Sequence, residues 1–117
     1  MQYLLMLYVD EAGFGKLSRK EQEEGVAAYM AYSEALTKSK ALVNANRLAS
    51  SSTATTVRVT NGKTQVLDGP YADSKEKIGG YYLIDAPDLD AAISWAARCP
   101  AAAHGAVEVR PIFTMPA

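Results

Sequence analysis

Asp68 and His104 are the residues of this sequence whose types suit acid–base chemistry. Asp68 opens the stretch DGPYADSKEKIGGYYLID, where its carboxylate could accept a proton or a hydrogen bond from a ligand. The alternative is a turn residue bonded to its own backbone, since Asp-Gly-Pro is typical of turns. His104 is the sole histidine, and histidine exchanges protons readily near neutral pH. It lies in AAAHGAV, a predicted loop, and would reach a cleft only if that loop folds over it; a solvated histidine is the alternative.

The predicted final strand AVEVRPIF adds two candidates for ligand binding. Glu108 and Arg110 lie two positions apart and therefore share one face of that strand. If that face is interior, their charges need each other or a polar ligand, and arginine can clasp a carboxylate or phosphate with two hydrogen bonds. An inter-subunit salt bridge is the alternative. Tyr81 and Tyr82 are further ligand-binding candidates; because they are adjacent in a strand, one should face a cleft and the other the helices.

Composition excludes several other functions. Twelve basic and thirteen acidic residues leave a net charge of −1, which gives no electrostatic footprint for nucleic acid. No apolar run reaches the ~18 residues of a membrane span. One histidine and one cysteine, Cys99, are too few for a structural zinc site, and no motif beside Cys99 marks it as a nucleophile.

The glycine patterns that bind nucleotide phosphates are missing as well. We therefore expect neither metal nor cofactor, and no nucleic-acid or membrane partner. The start of the chain does not resemble a signal peptide, and a lone cysteine forms no internal disulfide. These features predict one cytoplasmic domain over residues 1–117.

The elements that must position the candidates can be predicted from local patterns. Residues 2–9 form an apolar run of strand length, and Ser18 with Glu21 makes a capping box at the start of a helix of about five turns. A second extended stretch, ALVNANRLA, follows. Asn61-Gly62 between two β-rich runs predicts a hairpin with a type I′ turn. Pairing outward from that turn places Val57 opposite Val66, and Thr55 opposite Asp68.

The rest of the chain predicts a strand, a helix and a strand. The strand IGGYYLIDA begins at Gly79-Gly80, where we expect a bulge or a close backbone approach. Asp88 should cap the next helix, which should end before Pro100. Its predicted buried stripe is Leu89, Ile93 and Ala96. In the last strand Pro111 predicts an edge position.

This order predicts an α+β fold: a ferredoxin-like, split βαβ sheet with an inserted β-hairpin and both helices on one sheet face. The other face then has no cover within the chain, although the first strand is apolar on both sides. An uncovered face of this kind usually needs a partner, and a homodimer is the simplest one.

Several stretches resemble the DGPF family within the YCII-related superfamily. That family is named for an Asp-Gly-Pro-Phe-Ala-Glu-Thr-Lys-Glu stretch, which DGPYADSKE matches except at Tyr71, Asp73 and Ser74. The resemblance also takes in MQYLLMLY, TTVR, GGYYLIDAPDLDAAISWAARCP and GAVEVRPI, and so covers nearly the whole chain. It implies a dimeric α/β barrel, in which two sheets pack face to face around an interior cleft.

The acid–base pair of the wider superfamily does not carry over. Typical members have a histidine in the first helix and an aspartate just after the tryptophan of the second. Here the first helix has no histidine, and AARCP follows Trp95. Some relatives stand beside, or are fused to, extracytoplasmic-function sigma factors, which implies a regulatory role as a competing class.

Together these observations predict a small cytoplasmic homodimer that binds a small polar or aromatic ligand in the inter-sheet cleft. Whether it is an enzyme stays open at this point. The alternatives are a non-catalytic regulatory or interaction module associated with sigma-factor-dependent transcription, and a structural remnant of an enzyme superfamily. Converging polar groups in a cleft favour the first function. A dry interior with an exposed apolar patch elsewhere favours the second.

Overall fold

Six strands and four α-helices lie along residues 1–72 and 74–116, the part of the chain that the computed structural model describes. The strands are β1 (Gln2–Val9), β2 (Leu42–Arg47), β3 (Thr55–Thr60), β4 (Lys63–Asp68), β5 (Lys77–Asp85) and β6 (Ala106–Pro111). The helices are α1 (Glu11–Gly15), α2 (Arg19–Lys38), α3 (Leu89–Arg98) and α4 (Ala101–His104), with a 3₁₀ turn at Ser51–Thr53. The predicted order of the main elements is confirmed. The short helices α1 and α4 fall in stretches predicted as loops.

Four of the strands form an antiparallel sheet in the order β2-β5-β1-β6. The strand that α2 joins to β1 is not its neighbour, because β5 lies between them. In the same way β1 lies between β5 and β6. This interleaving is the predicted split βαβ plan. β6 is an edge strand, as Pro111 predicts, and Pro111 pairs with Tyr3.

The core lies between this sheet and the helices. Tyr3, Leu5 and Leu7 alternate along β1 and are all buried, and α2 places Tyr32 and Leu36 against the same cluster. Ser18 caps α2 through the predicted capping box: its Oγ accepts from the Glu21 amide at 3.1 Å, while the Ser18 amide donates to Glu21 at 3.1 Å. The cap fixes where α2 begins, and the buried residues fix which side it turns to the sheet.

The predicted buried stripe of α3 is wrong in part. Ala92 and Ala96 are buried, whereas Leu89 is 47% and Ile93 is 49% exposed. The buried line therefore runs through small residues and continues to Cys99, which is 2% exposed. Alanine brings the helix axis close to the sheet, and the bulkier side chains lie outside the contact. Asp88 does cap the helix, accepting from the Ala91 amide at 2.9 Å, and the helix ends before Pro100.

The hairpin of β3 and β4 stands apart as a separate two-stranded sheet with the predicted register. Thr55 pairs with Asp68 and Val57 with Val66. Asn61 and Gly62 have the positive φ angles, 53° and 75°, that a type I′ turn needs. The described chain measures 51 × 48 × 18 Å and its radius of gyration is 16.3 Å, against about 13 Å for a compact domain of this length. The molecule is therefore a flat slab with one projecting arm.

The double glycine of β5 makes the predicted bulge and close approach. The pairing of β1 with β5 shifts between Leu7 and Tyr8, which leaves Gly79 without a partner in β1. A Cβ at Gly79 would lie 2.7 Å from Val9 Cγ2, and one at Gly80 would lie 2.9 Å from the Asn46 carbonyl oxygen. At Gly80 a side chain would require the backbone of β2 to move, whereas at Gly79 it would require the Val9 side chain to shift.

Gly105 offers a direct test of close packing between β1 and the start of β6. A Cβ at Gly105 would overlap the Tyr8 carbonyl oxygen, while one at Gly25, within α2, would meet nothing within 4 Å. We expect Gly105→Ala to lower the free energy of unfolding by about 1–3 kcal/mol, because backbone must move. Gly25→Ala should raise it by about 0.5–1 kcal/mol through helix propensity. Urea unfolding of both variants checks this; equal effects would contradict it.

Glu11 gives a pH-dependent prediction. Its carboxylate accepts from the Ser51 hydroxyl at 2.8 Å and the Ser51 amide at 2.9 Å, and these hydrogen bonds lower the pKa of Glu11. Because the folded pKa lies below the unfolded one, this stabilisation is present at neutral pH and is lost as pH falls through the folded pKa. We expect Glu11→Gln to melt below wild type at about pH 7, with the gap closing as the pH falls below the ordinary pKa of glutamate.

The matched control is Glu24→Gln, because Glu24 is exposed on α2 and has no hydrogen-bond partner among the described residues. Its melting temperature should follow that of wild type at every pH. A gap for Glu11→Gln that stays constant with pH would show that the side chain acts through packing rather than charge.

Candidate functional site

One face of the four-stranded sheet is turned away from the core. Cross-strand pairing puts its residues opposite one another, and each of them is half-buried or exposed. We call this surface the open sheet face; it consists of Leu4, Met6, Tyr8, Asn44, Asn46, Tyr81, Leu83, Glu108 and Arg110. An apolar centre formed by β1 and β5 is thus flanked by polar side chains from the two edge strands.

Polar side chains on the open sheet face form hydrogen bonds and an ion pair with one another. Arg110 Nη2 lies 2.6 Å from Glu108 Oε2, and the Tyr8 hydroxyl donates to Glu108 Oε1 at 3.5 Å. Asn46 Nδ2 donates to the Tyr81 hydroxyl at 2.8 Å. The predicted common face of Glu108 and Arg110 is confirmed. Because Arg110 is 70% exposed, their ion pair contributes about 0–1 kcal/mol to stability at most.

Tyr82 is the tyrosine that faces the helices. It is buried, shares a hydrogen bond of 2.8 Å with Ser33 Oγ, and meets the Tyr32 ring edge to face at 5.1 Å. Burial raises the pKa of Tyr82. Of the two tyrosines predicted to bind a ligand, Tyr81 lies on the open sheet face and Tyr82 lies in the core.

A cleft of about 550 Å³ opens where β1 ends. We call it the His104 cleft; it is lined by Tyr8, Asp10, Ser74, Lys75, Glu76 and His104. Tyr8 belongs both to this cleft and to the open sheet face, so the two surfaces are continuous. His104 ends helix α4 rather than lying in a loop, and that short helix is what brings it to the cleft.

Three separate segments build the His104 cleft. Asp10 caps α1, and its Oδ1 accepts from the Gly13 amide at 3.2 Å. The segment before β5 supplies Ser74, Lys75 and Glu76. Gly105, directly after His104, allows the third segment to lie close to the other two. A Cβ at Gly105 would meet the Tyr8 carbonyl oxygen and would lie 3.2 Å from Glu76 Oε2. In the sequence, Lys75 and Glu76 match the family motif and indicate a solvated charged turn, so neither is predicted to line a site.

Asp68 does not join these residues. It ends β4 in the hairpin, opposite Thr55, and so lies outside the four-stranded sheet. Its carboxylate is exposed, with no hydrogen-bond partner among the described residues. The local turn is formed by the backbone instead: Gly69 has a φ of 104°, and its amide donates to the Ala54 carbonyl at 2.7 Å.

The remaining candidates for chemistry are structural or not assembled. Cys99 is buried in the core, and burial raises the pKa of its thiol, so it is a protonated packing residue. Within the described chain, no group of three metal-ligating side chains occurs. No helix in that same part of the chain is long and apolar enough to cross a membrane.

Comparison with known proteins shows where this chain belongs. An uncharacterized protein of Rhizobium meliloti (strain 1021) is 34% identical over 114 residues, which cover 96% of this chain and 92% of that protein. A similar solved structure is 5-chloro-2-hydroxyhydroquinone dehydrochlorinase (TftG) from Burkholderia phenoliruptrix AC1100, in complex with 2,5-dihydroxybenzoquinone. It has a TM-score of 0.55 and 17% identity, covers 97% of this chain and 94% of its own, and supports the fold alone. Residues 1–116 match the YCII-related domain, and the chain therefore belongs to the YCII-related family.

Proposed function

We propose that the protein is a cytoplasmic homodimer of the DGPF branch, built as a dimeric α/β barrel, and that it binds a small polar or aromatic ligand between two open sheet faces. The observation that carries this proposal is the open sheet face itself. It combines an apolar centre with side chains already paired and oriented around it. Small-molecule sites have this composition, a mostly apolar lining with a few placed polar groups.

The apolar centre supports the dimer. Leu4, Met6 and Leu83 lie side by side across β1 and β5, and each is only half-buried. A slab 18 Å thick has no second layer to cover them. A two-fold axis would place the same residues of a second copy opposite, so that one surface covers itself in both subunits. The exposed side chains of the hairpin add to the apolar surface that needs a partner.

The polar pairs support ligand binding. Once a second copy excludes water, the charges of Arg110 and Glu108 need partners that compensate for lost hydration. They pair with each other, and a ligand carrying an acidic or hydroxyl group could share that pair. Tyr81 offers a ring for stacking and a hydroxyl already held by Asn46. The structural neighbour in complex with 2,5-dihydroxybenzoquinone makes a planar, hydroxylated ring the first ligand to test.

The acid–base candidates take different places in this proposal. His104 lies in the cleft that continues the open sheet face, so it is within reach of a ligand bound there. Asp68 lies at the base of the separate hairpin and does not line the His104 cleft, so it would reach the same ligand from the hairpin of the second copy. The proposal assigns no reaction, and the enzyme neighbour supports catalysis as one use of the site.

The hairpin favours a second candidate function, a regulatory or interaction module associated with sigma-factor-dependent transcription. Val57, Val59 and Val66 share one face of the hairpin and are 58%, 68% and 61% exposed. A contiguous apolar surface on a projecting two-stranded arm marks a protein contact. If this arm binds a sigma factor, the protein needs no chemistry on the open sheet face.

Assembly is tested by a charge on the open sheet face. Met6→Glu puts an unpaired carboxylate into the proposed interface, while Met30→Glu makes the same change on α2, where Met30 is 68% exposed. In light scattering coupled to size exclusion, wild type and Met30→Glu should show about twice the chain mass of 12.6 kDa, and Met6→Glu should show a monomer. A monomeric wild type at micromolar concentration would end the dimer proposal.

Ligand binding is tested by removing one guanidinium. Arg110→Met should weaken calorimetric binding of 2,5-dihydroxybenzoquinone about tenfold, because a charge-assisted hydrogen bond is lost. Arg19→Met is the control, since Arg19 forms an exposed ion pair with Glu23 on α2, away from the open sheet face. Asp68→Asn should weaken the same binding if the second copy supplies its carboxylate. Equal affinities of Arg110→Met and wild type would remove Arg110 from the site.

A further inference from the structure

We infer that the His104 cleft binds the hydroxyl-bearing edge of a phenol or enol ring, and that His104 accepts the proton of that hydroxyl. The inference rests on the proposed function and deepens it, because it names the ligand class and the proton acceptor. The neighbouring open sheet face would hold the remainder of the ring.

Segments that are far apart in the sequence converge at the His104 cleft. The end of β1, the segment before β5 and the end of α4 line it together, and each supplies a titratable side chain. Gly105 is required for that meeting, since any side chain there would strike the Tyr8 backbone and approach the Glu76 carboxylate. A volume of about 550 Å³ lies within the range of small-molecule pockets.

The donors and acceptors of the cleft select the ligand class. Asp10 and Glu76 are acceptors when ionised, and only one oxygen of Asp10 is used by its own helix cap. Glu76 has no side-chain hydrogen bond among the described residues. Two carboxylates against one lysine, Lys75, disfavour a ligand that brings a carboxylate of its own. They favour a neutral ring that donates hydrogen bonds through its hydroxyl groups.

The proton step is balanced within the cleft. The ligand O–H bond breaks, its electron pair stays on oxygen as a phenolate, and a new N–H bond forms on the His104 imidazole. The ammonium of Lys75 lines the same cleft and would be the cation available to the phenolate. Total charge is unchanged, and the step needs no oxidant, reductant or second reactant.

A nitrophenol reports this step directly, because its phenol and phenolate forms absorb at different wavelengths. At about pH 7.4, where an ordinary histidine is largely uncharged and free 3-nitrophenol is mostly protonated, we would titrate the protein into 3-nitrophenol, and into its methyl ether as the matched control. Wild type should bring up the phenolate band and bind the ether at least tenfold more weakly. His104→Asn should lose the band and bind about tenfold more weakly, and Glu76→Gln should reduce both signals.

His104 is exposed, so His104→Asn should melt with wild type, and circular dichroism would show this. An unchanged phenolate band in His104→Asn, or equal binding of the ether by wild type, would overturn the inference. If binding responds to Arg110→Met but not to His104→Asn, the ring lies on the open sheet face; the proposed function then stands and the inference fails. If neither compound nor 2,5-dihydroxybenzoquinone binds, both fail.

Discussion

The contact between the central strand β1 and helix α2 is the interaction on which the rest of the structure depends. Tyr3, Leu5 and Leu7 enter that contact on one side of the strand, and Leu5 and Leu36 are completely buried in it. Each fully buried leucine contributes about 1.5–3 kcal/mol relative to an exposed one. Because side chains alternate along a strand, this burial forces Leu4, Met6 and Tyr8 to the opposite side. The open sheet face is therefore a necessary product of the core.

Glycine then decides where the open sheet face ends and the cleft begins. The bulge at Gly79 shifts the pairing of β1 with β5 just before Tyr8, and Gly105 lets the chain after α4 pass against the Tyr8 backbone. Without these two close approaches the last residues of β1 would continue a regular sheet. Instead the strand ends in a recess that the segment before β5 and the end of α4 share.

Sequence patterns predicted the local structure and the order of the elements, but they did not predict the site that distant segments form together. The hairpin register follows from Asn61-Gly62, because turn geometry fixes strand pairing over a few residues. The buried side of α3 was predicted only in part: Ala96 is buried as expected, but hydrophobicity favours Ile93 over Ala92 while packing distance favours the smaller residue. The His104 cleft was missed for a different reason. Its residues come from three segments that are far apart in the sequence. Within their own segment, Lys75 and Glu76 have the pattern of a solvated turn.

The residues that form the core are different from the charged residues that form the candidate site. Within the described chain no charged side chain is buried, and no buried side-chain nitrogen or oxygen lacks a hydrogen-bond partner. The hydroxyl of Tyr32, for example, donates to the Trp95 carbonyl at 2.7 Å. Charged groups of the open sheet face and the cleft are thus not needed to satisfy the core. Apart from Asp10, which also caps α1, substituting them should change binding with little change in stability, so loss of function can be separated from loss of fold.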